Sequence, residues 1–310
     1  MSQIISNITP ILLSSMALLN SLVQAIVVGI LQGGIYALIS VGLTLIFGVL
    51  GIVNFAQAEF LMLGMYTSFF LFVALAVDPF LSALAIIPLF FLFGIVVYRL
   101  LIDPLLETAD EESQLVVTFG LLLVLQSVTL IWLGPSTRLV NVGWSTTNLT
   151  LGSVVIGYDK LFAFVFAGLM LSLTYLFLNR TMLGKAIKAT ANDVNLARYS
   201  GINTKRIYAL TFGIGIALTA SAGSFVVTYF PAYPSVGFEF IIIMFVVVVL
   251  GGMGNIKGAA IAGLMIGVLE QVAVIWIPLQ LQPSLAYVVF VLVIMFRPEG
   301  VFGDPQGDVQ

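Results

Sequence analysis

The chain contains no cysteine and no histidine. Without cysteine there is no disulfide framework and no thiolate nucleophile. Without histidine, the commonest metal ligand and the usual proton carrier near neutral pH are both missing. Charge is scarce as well. Eleven Lys and Arg and fourteen Asp and Glu make up 8% of 310 residues, whereas soluble globular proteins carry about 25%. So little charge cannot coat a water-exposed surface of this size. The first charged side chain is Glu59, so 58 residues pass without one. No G-x-x-x-x-G-K-[ST] run occurs, which leaves no phosphate-binding loop. The N-terminal MSQIISNITP lacks the basic region of a secretory signal peptide. No cofactor, metal or nucleic-acid partner is expected.

What is there is apolar. Hydrophobic residues make up 61% of the chain and the mean hydropathy is +1.18. The apolar runs fall near 21–49, 54–77, 80–98, 115–133, 161–178, 207–229, 238–251, 257–277 and 284–296. Each is long and unbroken, unlike the short alternating strands of a membrane barrel. A spanning helix needs about 20 apolar residues, and 238–251 is short for that. The pattern predicts an all-α polytopic membrane protein, one domain over 1–310, with eight or nine transmembrane or broken helices in the lipid bilayer. Six of the eleven basic residues lie in the loop 179–206. Basic short loops stay in the cytoplasm. Alternation then puts the loop 134–160 outside, the C-terminus inside and the N-terminus outside. The outer loop, rich in Val, Thr, Ser and Gly, reads as a small extended ornament.

Three stretches interrupt the apolar pattern. In GIVNFAQAEF, Asn54 reads as a helix N-cap, with Gln57 three residues on as its capping partner. Glu59 then sits in the first turns, where negative charge suits the helix dipole. Either this is a cap at the membrane edge, or the helix starts inside the bilayer and Glu59 lines a pathway or gate. A mid-bilayer carboxylate costs about 2.5–3.5 kcal/mol on insertion scales and usually faces a polar cavity. In LGGMGNIKGAAIAGLMIG, Asn255 follows another glycine break. Gly254 with Gly258, and Gly263 with Gly267, have the small-residue spacing that lets helices approach in lipid. Lys257 reads as a cytoplasmic snorkelling anchor. Aligning the two stretches pairs Gly51 with Gly252 and Asn54 with Asn255, a candidate internal repeat. Glycine-interrupted segments in two halves point to a transporter's central site. In the basic loop, Asn192 reads as the cap of a short helix, with Asp193 at its start and Arg198 near its end. Gly201 suits a left-handed stop, with Ile202 as the hydrophobic contact after it. Val194, Ala197 and Tyr199 offer a small apolar face that could dock in a partner's groove.

Four stretches, GIYALISVGLTLIFGVLGIVNFAQAEFLMLGMY, ARYSGINTKRIYALTF, GGMGNIKGAAIAGLMIGVLE and FRPEGVFG, resemble the permease subunits of branched-chain amino acid ABC transporters, the LivH type. They keep the family's order over about residues 30 to 303. The resemblance implies a translocation subunit in the inner membrane that performs no chemistry. It implies a second permease subunit, two ATP-binding subunits and an extracytoplasmic substrate-binding protein. It places the ATPase-coupling helix at about Ala191 to Ile202, with Ala197 and Gly201 at matching positions. Asn54, Gln57, Glu59 and Asn255 are the pathway candidates. One departure stands out: NFAQAE replaces the NFAHGE frequent in relatives, so Gln57 and Ala58 stand for a His and a Gly. Related permeases carry urea or short amides, which leaves the substrate open. An ion-coupled secondary transporter is the alternative class, although few ionisable groups lie in the apolar segments. An intramembrane enzyme would lack the usual zinc ligands and a thiol.

Overall fold

Nine apolar helices occupy the nine segments that hydropathy marks out. In chain order they are α1 Ser2–Leu50, α2 Gln57–Leu75, α3 Pro79–Val97, α5 Glu111–Leu133, α6 Tyr158–Arg180, α9 Thr204–Val226, α10 Gly237–Gly251, α11 Ile256–Ala273 and α12 Gln282–Phe296. Three short α-helices lie between them, α4 Asp103–Thr108, α7 Met182–Asn192 and α8 Val194–Tyr199, and a π-helical turn, Tyr98–Ile102, joins α3 to α4. This computed structural model describes residues 2–108, 111–278, 281–297 and 300–302. Most of the tail expected in the cytoplasm after Arg297 lies outside them. Seven of the described helices are long and apolar enough to cross a membrane, while α10 and α12 are shorter. The protein is therefore an all-α polytopic membrane protein.

The first helix is longer than its apolar core suggests. At about 1.5 Å per residue, 49 residues extend for about 74 Å, more than twice a bilayer's hydrocarbon thickness of about 30 Å. Hydropathy detects only the stretch that lipid would cover. The helix ends at Gly51, whose φ of +72° only glycine adopts freely.

Helices α1 and α9 form the centre. In each, 89% of an apolar 18-residue stretch is buried, against 17% in α5. Helix α11 packs along α1 through glycines on both sides. A Cβ on Gly263 would come within 2.5 Å of the Ala37 nitrogen. One on Gly267 would reach the Gly29 oxygen and the Gly33 backbone at the same distance. Without side chains there, the backbones themselves touch, and dispersion replaces the hydrophobic effect that lipid cannot supply. Two apolar clusters fill the interior. One takes Ile35 to Leu43 of α1 and Leu218 to Val226 of α9; the other takes Leu45 to Leu50 and Ile207 to Ile216.

The loop 134–157 is extended, as its Val, Thr and Gly content suggests. Strands β1 Asn148–Leu151 and β2 Val154–Gly157 form an antiparallel hairpin, with Asn148 opposite Gly157. Gly152 turns it at φ +64°. The Gln24 side chain completes the free edge: its Nε2 donates to the Val155 carbonyl at 2.6 Å and its Oε1 accepts from the Val155 N–H at 2.7 Å. Arg138 and Ala232 exchange two backbone hydrogen bonds, at 2.9 and 2.8 Å. Trp144 Nε1 donates to Asp78 Oδ2 at 2.8 Å while Asp78 Oδ1 caps α3.

Candidate functional site

Residues 51–56 form a non-helical link between α1 and α2. Irregular backbone at membrane depth survives only where protein or a cavity satisfies its polar groups. Here protein does so. Thr118 Oγ1 donates to the Val53 carbonyl at 3.1 Å. The N–H of Gln57 donates to the Asn54 carbonyl at 3.2 Å, and that of Glu59 to the Ala56 carbonyl at 3.0 Å. Asn54 Oδ1 accepts from the Ala56 N–H at 3.2 Å.

That last bond moves the helix start. The spacing predicts a cap at Asn54, but α2 begins at Gln57 and its N-cap, Ala56, has no side-chain cap bond. Asn54 instead makes an Asx turn one step earlier. Its Nδ2 donates to Gln57 Oε1 at 3.0 Å. Gln57 Nε2 donates onward to Thr219 Oγ1 at 2.6 Å and to the Gly215 carbonyl at 3.2 Å. Thr219 Oγ1 in turn donates to the Ile39 carbonyl at 3.3 Å. One buried chain of hydrogen bonds thus joins the break, α9 and α1.

The chain also fixes the depth of the break. Gly215 and Thr219 lie 11 and 15 residues beyond Thr204, the start of the 23-residue α9. At about 1.5 Å per residue that is roughly 16 to 22 Å along a helix of about 34 Å. The break therefore sits near the middle of a spanning helix. Ala56 and Ala58 belong to different apolar clusters, so it also marks their junction.

Glu59, in the first turn of α2, is fully buried, and neither carboxyl oxygen has a hydrogen-bond partner. Its carboxyl lies against Gly237, the first residue of α10, where a Cβ would run into it. The starts of two helices therefore face one carboxyl, and their dipoles favour its negative charge. The site offers an acidic group with unspent acceptors to a cation or an ammonium group.

Asn255 is not part of this cluster. It caps α11, with Oδ1 accepting from the Gly258 N–H at 3.0 Å. Its Nδ2 donates to the Phe302 carbonyl at 2.7 Å, and the Val301 N–H donates to the Leu250 carbonyl at 2.9 Å. The Val301–Phe302 segment thus ties down the second break. Gly252 and Gly254 have φ of +84° and +86°, and Gly254 faces the Gly48 backbone near the end of α1. Gly258 lies against the Gly251 carbonyl. The aligned Gly51 and Gly252 thus both follow their helices with a positive φ. Lys257 is exposed, with its ammonium 5.1 Å from the Tyr175 ring centroid.

In the basic loop the cap is Asp193, whereas Asn192 is the last residue of α7. Asp193 Oδ1 accepts from the N–H groups of Asn195 and Leu196 at 2.8 and 2.9 Å. Its extended backbone, φ −157°, turns the carboxylate back over α8. The helix stops in a Schellman motif. The Gly201 N–H donates to the Arg198 carbonyl and the Ile202 N–H to the Ala197 carbonyl, both at 3.0 Å, with Gly201 at φ +80°. Arg198 Nε donates to Thr204 Oγ1 at 3.1 Å. The expected apolar face is split. Ala197 is buried and Val194 half-buried against the protein, while Tyr199 (87% exposed) and Leu196 (63%) point outward.

Thr219, Gly215 and Gly237 complete the central site, and local sequence did not mark them. Thr219 lies in the small-residue run ALTASAGS, where packing alone would explain its presence.

A family model for the permease component of branched-chain amino acid transport systems matches residues 25–297. The chain is 31% identical over 300 residues to a high-affinity branched-chain amino acid transport permease, BraD, of Pseudomonas aeruginosa, covering 91% of this chain and 96% of that one. It is 30% identical over 297 residues to LivH of Escherichia coli K12, covering 90% and 94%. A probable LivH of Methanocaldococcus jannaschii is 24% identical over 288 residues, covering 88% and 90%. No solved structure matches.

Proposed function

Because this chain belongs to the family of branched-chain amino acid transport permeases, we propose that it is the translocation subunit of an ATP-driven importer for branched-chain or related amino acids. Its partners in this reading are a second permease subunit, two ATP-binding subunits and an extracytoplasmic substrate-binding protein. The subunit moves substrate and performs no chemistry, and ATP hydrolysis belongs to its partners.

The path runs beside the break between α1 and α2. The observation that carries this is Glu59, an acid buried near mid-span with no partner. The dipoles of α2 and α10 would support its charge there, and the chain from Asn54 through Gln57 to Thr219 would hold the break rigid. Asn255 and the C-terminal Val301–Phe302 segment would hold the second break. On the cytoplasmic side, α8 with Asn192 to Ile202 is the coupling element, and Leu196 and Tyr199 are its outward contacts. Closure of the ATPase pair would push α8 and rock the permeases between inward- and outward-facing states. The membrane is the inner membrane, with the C-terminus in the cytoplasm and the N-terminus outside.

Purification in mild detergent, followed by reconstitution into proteoliposomes, tests this. Co-purifying ATPases and leucine uptake that needs both ATP and a soluble binding protein are the expected results. Uptake by this chain alone on an ion gradient would overturn the reading. Including urea in the panel separates the amide-carrying alternative.

A further inference from the structure

A second polar cluster lies apart from the break, where three helix ends meet the flank of α1. Tyr36 Oη, on α1, donates at 2.7 Å to Oε2 of Glu270, three residues before the end of α11. Lys160, in the first turn of α6, holds its ammonium 5.9 Å from the ring centroid of Tyr229, just past the end of α9. Gln32 is buried beside both tyrosine hydroxyls. Tyr229 Oη is buried and donates to nothing. Asp159, the other acid here, has one oxygen engaged by the Lys160 N–H at 2.8 Å.

Two simpler roles fit poorly. A structural ion pair would close, but Lys205 with Asp103 is the one salt bridge among the described residues. Glu270 and Lys160 stand apart, each within range of the other's charge. An interfacial acid reaching for water would turn outward, but the buried Tyr36 hydroxyl holds Glu270 toward the helix interface. Both charged residues are half-buried, so a ligand can reach them in this conformation, in which Glu59 is enclosed. Opposite charges that do not close into a salt bridge, with a hydroxyl that donates to nothing beside the cation, match a molecule carrying both charges itself.

We propose that Glu270, Tyr36, Lys160, Tyr229 and Gln32 form an entry site for the zwitterionic head of an α-amino acid. The ligand's ammonium sits on the Glu270 carboxylate, oriented by Tyr36. Its carboxylate takes the Lys160 ammonium and the free Tyr229 hydroxyl. The site reads the head group that amino acids share and leaves side-chain choice to other parts of the system. It rests on the importer reading above.

The test uses the full permease complex with its ATPases in lipid nanodiscs, without the soluble binding protein. Binding is measured for L-leucine, L-leucinamide (no carboxylate) and 4-methyl-2-oxopentanoate (no ammonium). Leucine should bind at least about tenfold more tightly than either analogue, since a desolvated charge pair is lost with each. Glu270→Gln should remove the preference over 4-methyl-2-oxopentanoate, Lys160→Gln should remove the preference over L-leucinamide, and Lys160→Arg should keep both. Equal binding of all three ligands by the wild type, or no leucine binding, overturns the site without any variant. So does an unchanged preference in both neutral variants that assemble normally by size exclusion. ATP-dependent leucine uptake by the same wild-type complex, reconstituted into proteoliposomes with its binding protein added, separates the two readings. If uptake persists, only the entry site is wrong; if uptake is absent, the importer reading falls.

Discussion

At the scale of single residues the tightest relation is between Glu59 and Gly237. A methyl group at 237 would collide with the Glu59 carboxyl. Elsewhere in a helix, Gly→Ala is favourable by about 1 kcal/mol. Here Gly237→Ala should lower the thermal stability of the detergent-solubilised protein. Adding Glu59→Ala should recover part of the loss, because the two substitutions share one space. Additive losses in a double-mutant thermal-unfolding cycle would refute the contact. Gln57→Leu is a second case. It strands the Asn54 amide in an apolar interior, at about 1–3 kcal/mol for an unsatisfied group. Its unfolding midpoint should fall further than that of Gln57→His, which can still donate one hydrogen bond. The sequence marked Asn54, Gln57 and Glu59 by their polarity and their capping spacing. It misplaced the cap because Gln57's partners, Gly215 and Thr219, lie 158 and 162 residues away. No local spacing encodes such a bond, and the detached Asx turn at Asn54 is its local consequence.

Single elements were more legible, for a physical reason. Lipid requires about 20 apolar residues in a row, and that run survives any tertiary context. All nine runs became helices, and their ends shifted where caps, not hydropathy, decide. The stop of α8 was readable because Gly201 and Ile202 complete a motif confined to six residues. Its start went to Asp193 rather than Asn192 because two adjacent cap residues compete and the backbone arbitrates. Gly201→Ala should cost about 1 kcal/mol or more, since φ +80° strains any L side chain. Faster hydrogen exchange over 194–202, with the rest of the protein unchanged, is the expected signature. The α1–α11 contact makes a second element-scale prediction. Gly267→Val puts side-chain atoms into the Gly29 and Gly33 backbone and should destabilise by at least the roughly 1–3 kcal/mol of overpacking. Gly168→Val is the matched control, because nothing lies within 4 Å of a Cβ there. Equal unfolding temperatures for the two variants would show that α1 and α11 do not meet through Gly267.

The whole molecule has an orientation, and its lack of cysteine makes that orientation testable without removing anything. By the positive-inside rule, six basic residues in 179–206 predict that α8 lies on the cytoplasmic side. Helix α6 starts directly after β2 and ends at Arg180, beside α7. At 23 residues, or about 34 Å, it is long enough to separate the hairpin from the basic loop by one bilayer. Tyr199 and Leu151, 87% and 59% exposed, are therefore reporters on opposite faces. A single Tyr199→Cys should react with a membrane-impermeant maleimide only after the membrane is opened. A single Leu151→Cys should react in intact cells from which the outer barrier has been removed. Because the native chain has no thiol, any labelling reports the introduced site alone. The reverse pattern would invert the topology and move α8 away from any cytoplasmic ATPase, removing the coupling role with it. The expected pattern would leave Leu196 and Tyr199 facing the compartment that contains ATP. Assembly with the ATPases should then protect Tyr199→Cys from the maleimide in opened membranes and leave Leu151→Cys reactive. That protection separates a docking surface from a loop that only sets orientation.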